Sequence, residues 1–125
     1  MGRRDLHARG NRGELWAARA LRAAGYRILA RRWRIPGGEI DLIAEDGDGY
    51  AFVEVKTRQD HRFGSPEAAV GRRKLARLHR AAEQWLADEV GDAPVAWRVD
   101  VVAVEMDAHQ GALPRRITIF RYFEV

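Results

Sequence analysis

Two short segments, Gly38-Glu39-Ile40-Asp41 and Phe52-Val53-Glu54-Val55-Lys56, constrain this chain more than any other feature. Ile40 to Ala44 and Tyr50 to Thr57 are rich in β-branched, aromatic and aliphatic residues, and Glu45-Asp46-Gly47-Asp48-Gly49 between them is a turn sequence. The segments read as neighbouring strands. Side chains alternate along a strand. Glu39, Asp41 and Ile43 therefore share one face of the first strand, and Phe52, Glu54 and Lys56 share one face of the second. A four-residue loop over Asp46 to Gly49 sets Asp41 opposite Glu54, and Glu39 opposite Lys56. Like charges directly opposite across a ladder are destabilising. At roughly 5 Å and an effective dielectric near 20, the repulsion is on the order of 3 kcal/mol. A chain that keeps such a pair needs a compensating cation, and a divalent metal beside Lys56 is the natural one.

A Glu-x-Lys pair on a strand is ordinarily a solvated salt-bridge row. Two features argue against that here. The opposite faces (Ile40, Leu42, Ala44; Ala51, Val53, Val55) are apolar, and Ile43, Tyr50 and Phe52 add apolar residues to the charged face. Strands apolar on both faces belong to the covered centre of a sheet, where charge is expensive. Second, of 22 basic residues only Lys56 and Lys74 are lysines. Arginine is effectively always protonated, whereas a lysine amine shifts its pKa readily and is a compact donor.

A chain of 125 residues implies one domain, 1–125, with residues 1–10 read as a flexible basic arm. There is no cysteine, which excludes disulfides and thiolate metal sites. His7, His61, His79 and His109 show no zinc-ligand spacing. The polar, arginine-rich start has no apolar signal core, and no run approaches membrane-spanning length, so a cytoplasmic protein without membrane contact is expected. Charge is uneven. Residues 1–34 hold ten arginines against Asp5 and Glu14, although the whole chain carries only +4. A second basic cluster is Arg72, Arg73, Lys74, Arg77 and Arg80. Such patches suit a polyanion, most simply nucleic acid, although a genome biased toward arginine produces the same excess.

The element order reads α-β-β-β-α-β-β. A helix from Asn11 to Ala24 stops at Gly25, with Glu14, Ala17, Ala18 and Leu21 on one stripe. Glu14 thus heads a small-residue face turned to the sheet, unless it is merely a first-turn acid favoured by the helix dipole. Tyr26 to Ile35 is a strand ended by Pro36-Gly37-Gly38, and the hairpin follows. Arg58 to Gly64 is a polar loop. Ser65-Pro66-Glu67 begins a helix that restarts near Gly71 and carries Leu75, Leu78, Ala82, Trp85 and Leu86 inward. Val95 to Glu105 is a strand, apolar on both faces except at Arg98 and Asp100, and Ile117 to Phe123 is an edge strand.

Gly-Glu-Ile-Asp, a turn and Phe-Val-Glu-Val-Lys-Thr-Arg resemble the core signature of the PD-(D/E)xK nuclease superfamily. Within it the chain resembles the YraN-like family, related to archaeal Holliday-junction resolvases. The likeness runs from about Asn11 to Glu105 and takes in Gly13-Glu14, Gly25-Tyr26, Phe63-Gly64, the helix bearing Lys74 and Val99-Asp100-Val101-Val102. Ile40 stands where the superfamily nominally has proline.

The resemblance implies a restriction-endonuclease-like α/β domain, an α-β-β-β-α-β core with a mixed central sheet flanked by helices. It implies Asp41, Glu54 and the Val55 carbonyl as ligands of Mg²⁺ or Mn²⁺, and Lys56 as the residue that orients the attacking water. Glu14 resembles the helix-borne acid of the resolvase branch. Glu39 is an accessory acid that pairs with Lys56 or Arg58 if it is not a ligand. Arg9, Arg12, Arg58, Arg72, Arg73, Lys74 and Arg77 are the expected nucleic-acid contacts. The implied activity is hydrolysis of nucleic-acid phosphodiesters, DNA and branched DNA foremost. The alternative is a non-catalytic nucleic-acid-binding module or an assembly subunit on the same fold. A two-fold homodimer through the Arg58 to Gly64 loop or the last strand is the assembly expected of a resolvase relative.

Overall fold

The computed structural model describes residues 2–59, 66–106 and 113–124, without the side chains of residues 2–11, 66 and 67. Helix α1 (Gly2–Ala23) leads into β1 (Arg27–Ile35), β2 (Gly38–Asp46) and β3 (Gly49–Arg58). A 3-10 turn (Pro66–Ala69) precedes α2 (Arg72–Glu89), and β4 (Trp97–Met106) and β5 (Pro114–Phe120) complete the fold. This is a mixed α/β domain. The strands form one sheet in the order β1-β2-β3-β4-β5, with β1 and β5 at its edges. β3 and β4 are parallel, and every other neighbouring pair is antiparallel. A parallel pair needs a crossover, and α2 provides it.

The sheet is covered on both faces, as its two-sided apolar strands require. On one face Leu42, Ala44, Ala51, Val53, Val102 and Val104 pack with Ala17, Ala18 and Leu21 of α1. On the other, Ile43, Phe52 and Val99 pack with Leu78, Ala81, Ala82, Trp85 and Leu86 of α2. Trp85 meets the rings of Tyr50 and Phe52 edge-on, at centroid distances of 5.5 and 5.7 Å.

Three expectations shift at their edges. α1 begins at Gly2 rather than Asn11, so the segment read as an arm has helical backbone. The β2–β3 turn is tighter than a four-residue loop. Asp46 pairs with Gly49, and the Asp48 N–H donates to Asp46 Oδ1 at 2.9 Å, an aspartate turn that extends the hairpin ladder one rung further toward its tip without altering its register. β5 runs Pro114–Phe120 rather than Ile117 to Phe123. Most of the Arg58 to Gly64 loop, Phe63 included, lies outside the described residues.

Candidate functional site

The β2–β3 ladder ends at Leu42↔Val53, one rung short of Asp41 and Glu54. Beyond it β2 stays with β1 as far as Gly38, and β3 stays with β4 as far as Arg58. The hairpin therefore opens into a fork. In place of a backbone rung, the Val55 N–H donates to Asp41 Oδ2 at 2.8 Å. This relieves the expected face-to-face repulsion in part, because the strands part where the carboxylates begin.

α1 places a third acid in the fork. Glu14 is buried on the stripe it shares with Ala17, Ala18 and Leu21. Gly13 allows the approach, since a Cβ there would collide with the Thr57 hydroxyl of β3. One carboxylate oxygen from each of Glu14, Glu39 and Asp41 lies within 4.8 Å of the others. Oxygens sharing one hard cation at about 2.0–2.6 Å stand no more than about 5 Å apart, so this donor set fits Mg²⁺ or Mn²⁺.

Each acid except Asp41 has a cationic partner. Arg32 Nε donates to Glu14 Oε2 at 2.8 Å, and Arg34 Nε to Glu39 Oε2 at 3.0 Å. Glu39 thus pairs with Arg34 across β1–β2, not with Lys56 or Arg58 as expected; the fork carries it away from β3. Glu54 Oε1 faces both lysines of the chain, Lys74 Nζ at 2.5 Å and Lys56 Nζ at 3.5 Å. Asp41 has no ion pair among the described residues. Burial pushes its carboxyl up to about 7, the Glu54 charge adds to the rise, and the Val55 N–H opposes it. Burial lowers Lys56, and Lys74 beside it lowers it further. Burial is also the largest single influence on Lys74 and pulls it down, but the bond to Glu54, the contact with Lys56 and the charges of Glu54 and Asp41 together leave it raised.

The raised Asp41 value has a direct consequence for stability. A carboxyl whose folded pKa lies above its unfolded value favours folding at low pH, and that contribution is lost as pH rises through the folded pKa. The metal-free protein should lose about 2 kcal/mol between pH 5 and pH 8 from this group, allowing for its partial solvent contact. Asp41→Asn should flatten the profile over that interval in urea titrations. A slope equal to wild type would show that Asp41 is not the group that titrates. Asp46, lowered chiefly by its bond to Arg98, acts in the opposite sense and only at more acid pH.

Asp41, Glu54 and Glu39 line a cleft of about 300 Å³ with Gly37, Gly38, Lys74, Arg77 and Leu78. The β1–β2 turn forms one wall and the first turns of α2 the other. Of the expected nucleic-acid contacts, Lys74 and Arg77 are brought to this cleft. Arg72 lines a neighbouring surface depression with His79, Arg80 and Glu83. Arg12 and Arg73 are exposed, Arg58 is half-buried at the end of β3, and the Arg9 side chain lies outside the described residues.

Sequence reasoning read Lys74 as a backbone contact and missed its bond to Glu54. The signal lay in the composition, since both lysines of an arginine-rich chain meet at one carboxylate. Arg32 gave no such signal. It has φ of +52° and sits between the pairs Arg31↔Leu42 and Trp33↔Ile40, across from Asp41. Non-glycine residues occupy that region sparsely, and they cluster at functional sites.

Fold and site together define an α/β domain with an acidic fork between two helices, flanked by lysine and arginine. Residues 13–104 match the uncharacterised protein family UPF0102, the YraN-like family, and the chain belongs to it. It is 52% identical over 101 residues to a UPF0102 protein of Beutenbergia cavernae, covering 81% of this chain and 85% of that one. A UPF0102 protein of Symbiobacterium thermophilum is also 52% identical, over 96 residues, covering 77% and 80%. Among solved structures, SfsA of Pyrococcus furiosus in complex with Ca²⁺ aligns with a TM-score of 0.29 and 14% identity, over 81% of this chain and 56% of that one. A likeness that slight carries no argument. Among the described residues, no helix is long and apolar enough to cross a membrane.

Proposed function

We propose that this protein is a divalent-metal-dependent nuclease of the PD-(D/E)xK type that hydrolyses a phosphodiester of nucleic acid, DNA in the first instance. One observation carries the reading. Asp41 stands without a cationic partner among the described residues, within an acid cluster spaced for a single cation and beside the two lysines at Glu54. A module that only binds nucleic acid has no use for concentrated negative charge where a phosphate must approach.

Asp41 would hold Mg²⁺ or Mn²⁺ together with Glu54 and the Val55 carbonyl of β3, and Glu14 and Glu39, whose oxygens lie within 4.8 Å of that of Asp41, would offer further ligands. The bound ion supplies charge neutralisation at the phosphoryl group and acidifies a water. The Lys56 ammonium is a compact donor that orients the attacking water and offsets developing negative charge. Val55 N–H and Arg32 fix the orientations of Asp41 and Glu14. Lys74 and Arg77 on the cleft wall receive the phosphate backbone. No covalent enzyme intermediate is required.

Two solution measurements test this reading. Mn²⁺ at 100 times its Kd should stabilise the protein by about 2.7 kcal/mol through linkage, and Asp41→Asn should abolish most of that gain. Binding to a DNA oligonucleotide should weaken steeply as salt rises. Equal stabilisation of wild type and variant would remove Asp41 as a ligand. Affinity for no nucleic acid at any salt would favour an assembly subunit.

A further inference from the structure

We infer that Lys74 is a placeholder cation: its ammonium holds Glu54 in the metal-free protein, yields it to a divalent ion, and is then free to meet a substrate phosphate in the cleft. The inference rests on the metal-dependent reading of the site. Its first support is geometric. Lys74 Nζ is 2.5 Å from Glu54 Oε1, nearer than Lys56 Nζ at 3.5 Å on the same oxygen. The Glu54 side chain is only 5% exposed, and a buried carboxylate needs a counter-charge. That counter-charge comes from α2, an element separate from the hairpin that carries the acids. The Lys74 side chain is 37% exposed, so it has solvent on one flank and a long stem on which to withdraw.

The second support is the choice of residue. All but two of the 22 basic residues are arginine. An arginine at position 74 could grip Glu54 with a planar two-pronged fork, whereas a lysine makes a point contact that a more highly charged ion displaces. The third is the balance of charge. Two ammonium groups share one carboxylate oxygen, and they repel one another as well as attracting it. A divalent ion taking over Glu54 would add to that positive charge, and a phosphate in the cleft would offset it. Lys74 already lines the cleft, with Arg77 one turn further along α2.

Mn²⁺ titration by calorimetry, on the metal-free protein without nucleic acid, tests this. Lys74→Met should bind Mn²⁺ tighter than wild type by about tenfold, the change that 1.4 kcal/mol produces. Lys74→Arg should bind it more weakly than wild type. Methionine is a good helix former and suits a half-exposed position, and Lys74→Gln gives a second neutral variant if Lys74→Met is poorly folded by thermal denaturation. On a substrate that wild type cuts, the neutral variants should cleave more slowly despite their tighter metal. Unchanged or weaker Mn²⁺ affinity in both neutral variants, with wild type binding Mn²⁺, overturns the role of Lys74 alone. Failure of every protein, wild type included, to bind Mn²⁺ overturns it together with the metal-dependent reading.

Discussion

Lys56→Arg is expected to lower nucleic-acid cleavage by about 10²-fold or more, the scale of losing one transition-state donor, while folding and nucleic-acid binding stay near normal. The charge is conserved in this exchange, so the effect isolates shape and proton chemistry. Lys56 is half-buried, with Nζ 3.5 Å from Glu54 Oε1, and Lys74 occupies the other approach to that oxygen. The guanidinium fork is larger and planar, and cannot place one compact donor in the same spot. Burial also lowers the Lys56 pKa, whereas an arginine keeps its proton under all working conditions. If Lys56 were only half of an ion pair with Glu54, arginine would supply the same charge and cleavage would change little. Retained cleavage in the variant would end the catalytic assignment. Unfolding would mean that the site is chiefly structural.

The largest effect on stability is expected at the other end of the sheet. Asp100 on β4 is fully buried, and Arg98 two residues earlier is nearly so. Arg98 Nε donates to Asp100 Oδ1 at 3.0 Å, and Arg98 Nη2 donates to Asp46 Oδ2 at 2.8 Å. Tyr26 Oη donates to Asp100 Oδ2 at 2.7 Å, and the Tyr122 N–H to Asp100 Oδ1 at 3.0 Å. This network ties the segment before β1, the β2–β3 turn, β4 and the residues after β5 into one corner. Removing one partner of a buried pair strands the other charge and costs about 3–5 kcal/mol. Arg98→Met should lower stability by that amount in urea unfolding, a large share of a typical domain's total. Adding Asp100→Leu should recover part of the loss, because the stranded carboxylate is then gone. A loss below about 1 kcal/mol for Arg98→Met would show that Tyr26 and Tyr122 alone satisfy Asp100.

These residues also mark where the sequence is legible. The hairpin register follows from alternation, since residues 42–46 and 49–53 admit only one pairing that buries both apolar faces. Glu14 is legible for a similar reason, as it shares its stripe with the buried Ala17, Ala18 and Leu21. The fork is not. Alternation continues unbroken through Asp41 and Glu54, and the divergence of the strands depends on β1 and β4 pulling β2 and β3 apart. The Glu39–Arg34 pair follows from the fork and was missed with it. Arg98 and Asp100 stood out as charges in an apolar strand, but their partners lie as many as 74 positions away, and single-chain patterns do not register such contacts. The Lys74–Glu54 bond, between helix and strand, was hidden in the same way.

The central claim, that the acidic fork hydrolyses nucleic acid with a divalent metal, is tested most directly by a cleavage panel. Linear, flapped and four-way DNA and matching RNA would be incubated with wild type and with Asp41→Ala, in Mg²⁺, in Mn²⁺ and in chelator. Wild type should cut at least one of these substrates only when metal is present, and Asp41→Ala should cut none. Intact substrates throughout the panel, or equal cleavage by wild type and Asp41→Ala, would contradict it.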